Sequence, residues 1–235
     1  MKKPVIIALI VLLIDQCSKI WIKTNMVLGE EHVIANWFRI HFTENNGMAF
    51  GLELQGEFGK LALSLFRIIA VSGIGYYLWY CVKHKMHPLF ITALSLIFAG
   101  ALGNIIDSAF YGMLFSDSDS FEPAKFLPAG GGYATFLHGR VVDMLYFPLI
   151  RGTYPAWFPV WGGEYFEFFR PVFNISDSSI SIGVFMILIF QKRMFAEPQE
   201  NMPVVNSTSE EVNAIETENT VEEKPEETGS EPKTN

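Results

Sequence analysis

Cysteine is almost absent. The 235 residues hold two, Cys17 and Cys81, each inside an apolar run, which excludes a disulfide-stapled secreted fold and a cysteine-built zinc site. The five histidines are scattered and form no metal-spaced constellation with Asp or Cys. A basic stripe of the kind that tracks nucleic acid is missing, and so is any internal repeat. Charge is also scarce over most of the chain. The net charge is −8, but 11 of the acidic and 2 of the basic residues fall after Ala196, so the acidity belongs to the tail and the body is nearly neutral. That tail has no aromatics and many Glu, Thr, Ser and Pro, a composition that cannot bury a core. It is expected to be a disordered cytoplasmic extension, 197–235, following a single domain over 1–196.

What is present is long apolar sequence. Crossing a hydrocarbon core of about 30 Å takes about 20 helical residues, and four stretches suffice: residues 4–22, 61–82, 89–112 and 173–192. Lys2 and Lys3 before the first, Lys83 and Lys85 between the second and third, and Lys192 and Arg193 after the fourth fall on one side of alternating helices. The positive-inside rule then puts both termini in the cytoplasm and segments 26–60 and 113–171 outside. His84 and His87 sit in the cytoplasmic link. A cleaved secretory signal is the rival reading of residues 1–20, but no small-x-small site follows the apolar run; Asp15, Gln16 and Lys19 stand there instead. His32 to Phe42 alternates as short strands do. Between Tyr146 and Phe173 there are 11 aromatics and four prolines in 28 residues, which suits a segment lying at the membrane surface.

Ionisable groups within spans are costly and therefore candidate sites. Asp15 and Lys19 share a helix face at i, i+4 spacing, as an embedded ion pair or as part of the chemistry. Arg67 is near enough to the start of its span to snorkel. Gly100, Gly103, Asn104 and Asp107 form one stripe in the third span, with small residues allowing close helix approach. Asn174, Asp177, Ser178 and Ser181 repeat that spacing at the outer start of the fourth. Asp143 lies in Val141-Val142-Asp143-Met144, expected as a short extended or helical piece with the acid turned inward. Singly, Asp177 reads as a first-turn helix acid and Asp143 as a loop acid. Topology, however, brings Asp107, Asp143 and Asp177 to one depth with Asn104 and Asn174. Two close, desolvated carboxyls share a proton, and such a pair suits peptide hydrolysis: one member deprotonates water while the other polarises the scissile carbonyl.

Asp15-Gln16-Cys17-Ser18-Lys19, Asn45-Asn46-Gly47-Met48-Ala49-Phe50, Gly100 to Asp107 (GALGNIID), Val141-Val142-Asp143-Met144 and Phe173-Asn174-Ile175-Ser176-Asp177 together resemble, in order, the sequence blocks of bacterial lipoprotein signal peptidase (signal peptidase II), over roughly residues 5–193. The resemblance implies an all-α integral membrane protein with four transmembrane helices and a small extracytoplasmic β-element. It implies an aspartic endopeptidase of the inner membrane, without metal or other cofactor. The enzyme would cut diacylglyceryl-modified prolipoproteins just before the lipidated cysteine, and its partners are those substrates and membrane lipids. Nothing requires more than a monomer. It makes Asp143 and Asp177 the catalytic pair. Asn45, Gly47, Asn104 and Asn174 fall in its site-shaping blocks, Asp15 and Lys19 in its first-helix block, and Asp107 is expected to serve geometry more than chemistry.

Two departures stand out. The family block that ends on Asp107 normally continues with Arg, where this chain has Ser108; Arg140 is a candidate substitute. An insertion over roughly 112–137 is expected to be a lid or a surface loop. An ion-coupled carrier also uses intramembrane Asp, Lys and Asn, but places them near the midplane and usually shows repeats. A scaffold would work through the acidic tail.

Overall fold

The computed structural model describes residues 2–46, 57–168 and 171–195. The chain divides into two units, Met1–Ala196 and Glu197–Asn235, and the second, with the expected tail, lies outside the described residues. Gly47 to Phe50 also lie outside them.

Among the described residues, four helices are long and apolar enough to cross a membrane: α1 Lys2–Asn25, α2 Glu57–Lys83, α3 Pro88–Leu114 and α4 Ile175–Met194. Their outward faces carry Leu9, Leu13, Ile69, Phe185 and Ile189, all exposed, as lipid-facing surfaces require. Local chemistry sets several ends. Pro88 occupies the first turn of α3 and His87 accepts from the Leu89 amide at 3.2 Å, a start that proline's fixed φ favours. Lys192 and Arg193 close α4, where cations meet the negative end of the helix dipole.

Helix α3 is central, packing on α1, α2 and α4. Its approach to α4 needs glycine. A Cβ on Gly100 would sit 2.2 Å from the Ser176 carbonyl oxygen, and one on Gly103 would sit 2.1 Å from Ser176 Oγ. Beyond Ile106 the helix widens into a π turn, Asp107–Tyr111, before a last α turn. Such turns concentrate at functional sites.

The chain is not all-α, contrary to the expectation. Among the described residues there are six short strands: β1 Glu31–Ala35, β2 Phe38–Asn45, β3 Val141–Tyr146, β4 Ile150–Thr153, β5 Tyr165–Phe168 and β6 Val172–Phe173. β1 and β2 fall on the alternating stretch. The four-stranded sheet has the order β1-β2-β3-β6, with all three pairings antiparallel, and β4-β5 is a separate hairpin. Asp143 lies on a strand rather than in a helical piece.

The insertion over 112–137 is packed. Phe115 pairs with Phe126 as a β-bridge; the Ala124 amide donates to the Lys23 carbonyl at 3.0 Å and the Leu28 amide to that of Asp119 at 2.7 Å. Phe115 joins Ile22, Met26, Phe42, Tyr111, Val142 and Met144 in one buried cluster, so the insertion seals one face of the sheet against the end of α1.

Candidate active site

Strand register assembles the centre. Thr43 of β2 stands opposite Asp143 of β3; Asn45, two residues on, points to the same face and bonds the Asp143 carboxyl. Leu145 pairs with Phe173 of β6, so the next residue, Asn174, arrives beside Asp143 as the N-cap of α4. Asn174 then makes two connections. Its Nδ2 donates to Asp143 Oδ1 at 2.7 Å, and its Oδ1 accepts the Asp177 amide at 2.9 Å. That cap is an ordinary helix start, used here to tie one aspartate to the backbone of the other. Asn104 completes the bridge, donating from Nδ2 to Asp177 Oδ1 at 2.8 Å and accepting from Asn174 at 3.2 Å.

Asp143 is 3% exposed. Burial, and after it the Asp177 charge, pushes its carboxyl up to about 7, against the opposing bonds from Asn45 and Asn174. Desolvation penalises the ionised form, and a neighbouring like charge adds to that.

A buried ionic layer supports this pair. Lys19 Nζ lies 2.9 Å from Asp15 Oδ2 and 2.8 Å from Asp107 Oδ2, with all three side chains fully buried, and it donates to Asn104 Oδ1 at 2.9 Å. The expected Asp15–Lys19 pair is thus one edge of a larger network. Asp15 Oδ1 accepts the Ser176 amide at 2.8 Å, fixing the first turn of α4. Asp107 Oδ2 accepts the Val142 amide at 3.3 Å, fixing β3. Both acids position the backbone beside the aspartates.

Arg140 is brought elsewhere. Its Nη1 binds Glu44 Oε2 at 3.0 Å and Asp117 Oδ1 at 2.7 Å, while Glu44 also pairs with fully buried Lys23. Gly47 lies outside the described residues.

Four participants escaped the sequence reading. Gln16 Nε2 links Asp107 Oδ1 (2.9 Å) with Asp15 Oδ2 (3.1 Å), and Tyr111 donates to Gln16 Oε1 at 3.1 Å. Lys23 continues the stripe of Asp15 and Lys19 by one more i+4 step, a signal that was available. Arg67 is half-buried on α2, three residues from buried Ser64 and four from buried Val71. It shares a helix face with those residues, and its charge interacts with Asp177 and Asp143. A lone cation in an apolar span was the clue.

The profile of the family described as signal peptidase (SPase) II matches residues 7–193. The lipoprotein signal peptidase of Porphyromonas gingivalis is 57% identical over 192 residues, covering 80% of this chain and 83% of that protein. That of Amoebophilus asiaticus is 35% identical over 210 residues, covering 88% and 84%. A bacterial membrane enzyme solved at 2.3 Å by the in meso method superposes with a TM-score of 0.54 at 27% identity, over 85% of this chain and 94% of its own. A second such structure, at 1.9 Å, gives a TM-score of 0.53 at 30% identity, over 81% and 93%. With the profile spanning most of the chain and close relatives matched along most of their length, this multi-pass membrane protein belongs to the signal peptidase II family.

Proposed function

We propose that the chain removes the signal peptide from diacylglyceryl-modified prolipoproteins, cutting just before the lipidated cysteine, and that it does so as an aspartic endopeptidase whose working pair is Asp143 and Asp177. The observation that carries this reading is the asparagine bridge: Asn174 bonds the Asp143 carboxylate and caps the Asp177 amide, while Asn104 bonds the Asp177 carboxylate.

The raised Asp143 carboxyl suits the acid and leaves Asp177 as the base. Asp177 takes a proton from water as the hydroxyl oxygen adds to the scissile carbonyl carbon; Asp143 gives its proton to the carbonyl oxygen. Collapse of the tetrahedral adduct breaks the C–N bond, the leaving nitrogen takes the proton held by Asp177, and Asp143 recovers its own from the collapsing hydroxyl. Asp15, Lys19, Asp107, Asn45 and Arg140 hold the framework, and Gly47 belongs to the same block as Asn45. Substrate reaches the pair laterally from the leaflet on that side. Anchoring both partners in one membrane supplies much of the positioning that a soluble protease draws from binding contacts.

In this reading the protein works as a monomer in the bacterial inner membrane, with both termini cytoplasmic and the aspartates on the extracytoplasmic side. The body is 1–196, and 197–235 is an accessory cytoplasmic tail. The test is processing of a lipidated prolipoprotein by purified protein. Asp143→Asn and Asp177→Asn should each abolish cleavage while the protein still inserts, and full activity in either variant sinks the pair.

A further inference from the structure

The β4–β5 hairpin lies between the two aspartates in sequence and takes no part in the site. Its register divides it into two faces. Ile150 stands opposite Phe168, and Arg151 opposite Glu167. One polar pair reaches β3: Arg151 Nε binds Glu167 Oε1 at 2.6 Å, and both bond the Tyr146 side chain at the end of β3. The apolar side is uncovered. Ile150 is 56% exposed and Phe168 58%, and the connecting turn presents Trp157 at 78%, Val160 at 70% and Trp161 at 50%. Tyr154 stacks on Phe158 and packs on Phe166, so the turn is an ordered aromatic block.

Such a surface facing water would be a liability. Its covering is indicated by where the hairpin is attached. Phe168 is separated from the first residue of α4 by a few residues, two of them paired to β3 as β6, so its base stands at the mouth of a membrane span. The segment from Phe147 to Phe168 has three charged residues, Arg151, Glu164 and Glu167, two of them paired with each other. Trp and Tyr on an otherwise apolar surface collect at the headgroup level of a bilayer. We infer that the β4–β5 hairpin is an interfacial anchor, with Ile150, Trp157, Val160, Trp161 and Phe168 seated in the phospholipid leaflet on the side of Asp143 and Asp177. The polar Arg151–Glu167 face then holds the strand bearing Asp143 at the membrane surface through Tyr146.

The full chain, reconstituted in nanodiscs of phosphatidylethanolamine and phosphatidylglycerol with a trace of phospholipid carrying a diazirine near the glycerol, provides the test. Photolysis and peptide mapping should find lipid adducts in 147–168 at a yield comparable to the exposed faces of α1 and α4. In parallel, the emission lost in Trp157→Phe/Trp161→Phe, substitutions that keep the rings, should be quenched by bromolipid and shielded from aqueous acrylamide. Adducts confined to the helices, or acrylamide quenching without bromolipid quenching, overturn the anchor. Cross-links from the hairpin to another copy of the chain without lipid adducts overturn it too, and assign the face to a dimer.

Discussion

Burial, and after it the Asp177 charge, holds the Asp143 carboxyl up at about 7. A carboxyl raised in this way is protonated below the raised value and ionised above it. If Asp143 is the acid, kcat/KM for prolipoprotein cleavage should fall as pH rises through about 7, by up to about tenfold per unit, and a pH–rate profile in fixed detergent checks this. Lys19 is a different case, since its role is to neutralise two buried acids. Lys19→Met strands Asp15 and Asp107 without a cation, an arrangement that costs about 3–5 kcal/mol; unfolding in mixed SDS–detergent micelles should show that loss. Arg67 faces the aspartates from α2. Arg67→Gln should lower kcat and move the pH profile, and Arg67→Lys should restore most of both, because charge at that place is what acts. A change confined to protein yield would mark Arg67 as structural only.

At the scale of elements, the site depends on how closely α3 and α4 meet. The missing Cβ atoms of Gly100 and Gly103 let the first turn of α4 lie against α3, which puts Asp177 within reach of Asn104. Gly100→Ala places a carbon against a backbone carbonyl that has no rotamer to yield, and overpacking of this kind costs about 1–3 kcal/mol. It should lower both the unfolding midpoint and the cleavage rate, measured on the same preparation. The stripe that contains these glycines was readable from the 0, 3, 4, 7 spacing, as was the alternation of β1 and β2. The pairing of β2, β3 and β6 was not. Strand partners nearly a hundred residues apart, such as Asn45 and Val141, leave no local trace, and β6 is too short to show alternation. The insertion was illegible for a similar reason: Phe115, Phe126 and Tyr133 look like loop aromatics until the end of α1 is placed beside them.

For the whole molecule, the near-neutral body and the acidic tail are separate matters. The working groups proposed here all precede Ala196, so deleting 198–235 should leave processing of a lipidated prolipoprotein intact in the in-gel assay, whereas a tail-driven scaffold would fail. Four spans and the order of the polar blocks were legible in the sequence alone. Hydropathy and helix periodicity are sums over neighbouring residues and need no partner. The same holds for the placing of Asp15, Asn104, Asp107, Asp143 and Asp177 as costly polar groups in apolar surroundings. Which partners each charged group meets was decided only by tertiary structure. Lys19 and backbone amides reach Asp15 and Asp107, Arg140 meets Glu44 and Asp117, and Arg67 lies half-buried on α2. Each outcome depends on distances between residues remote in the chain, and those are set by sheet register and helix contact, which no local sum contains.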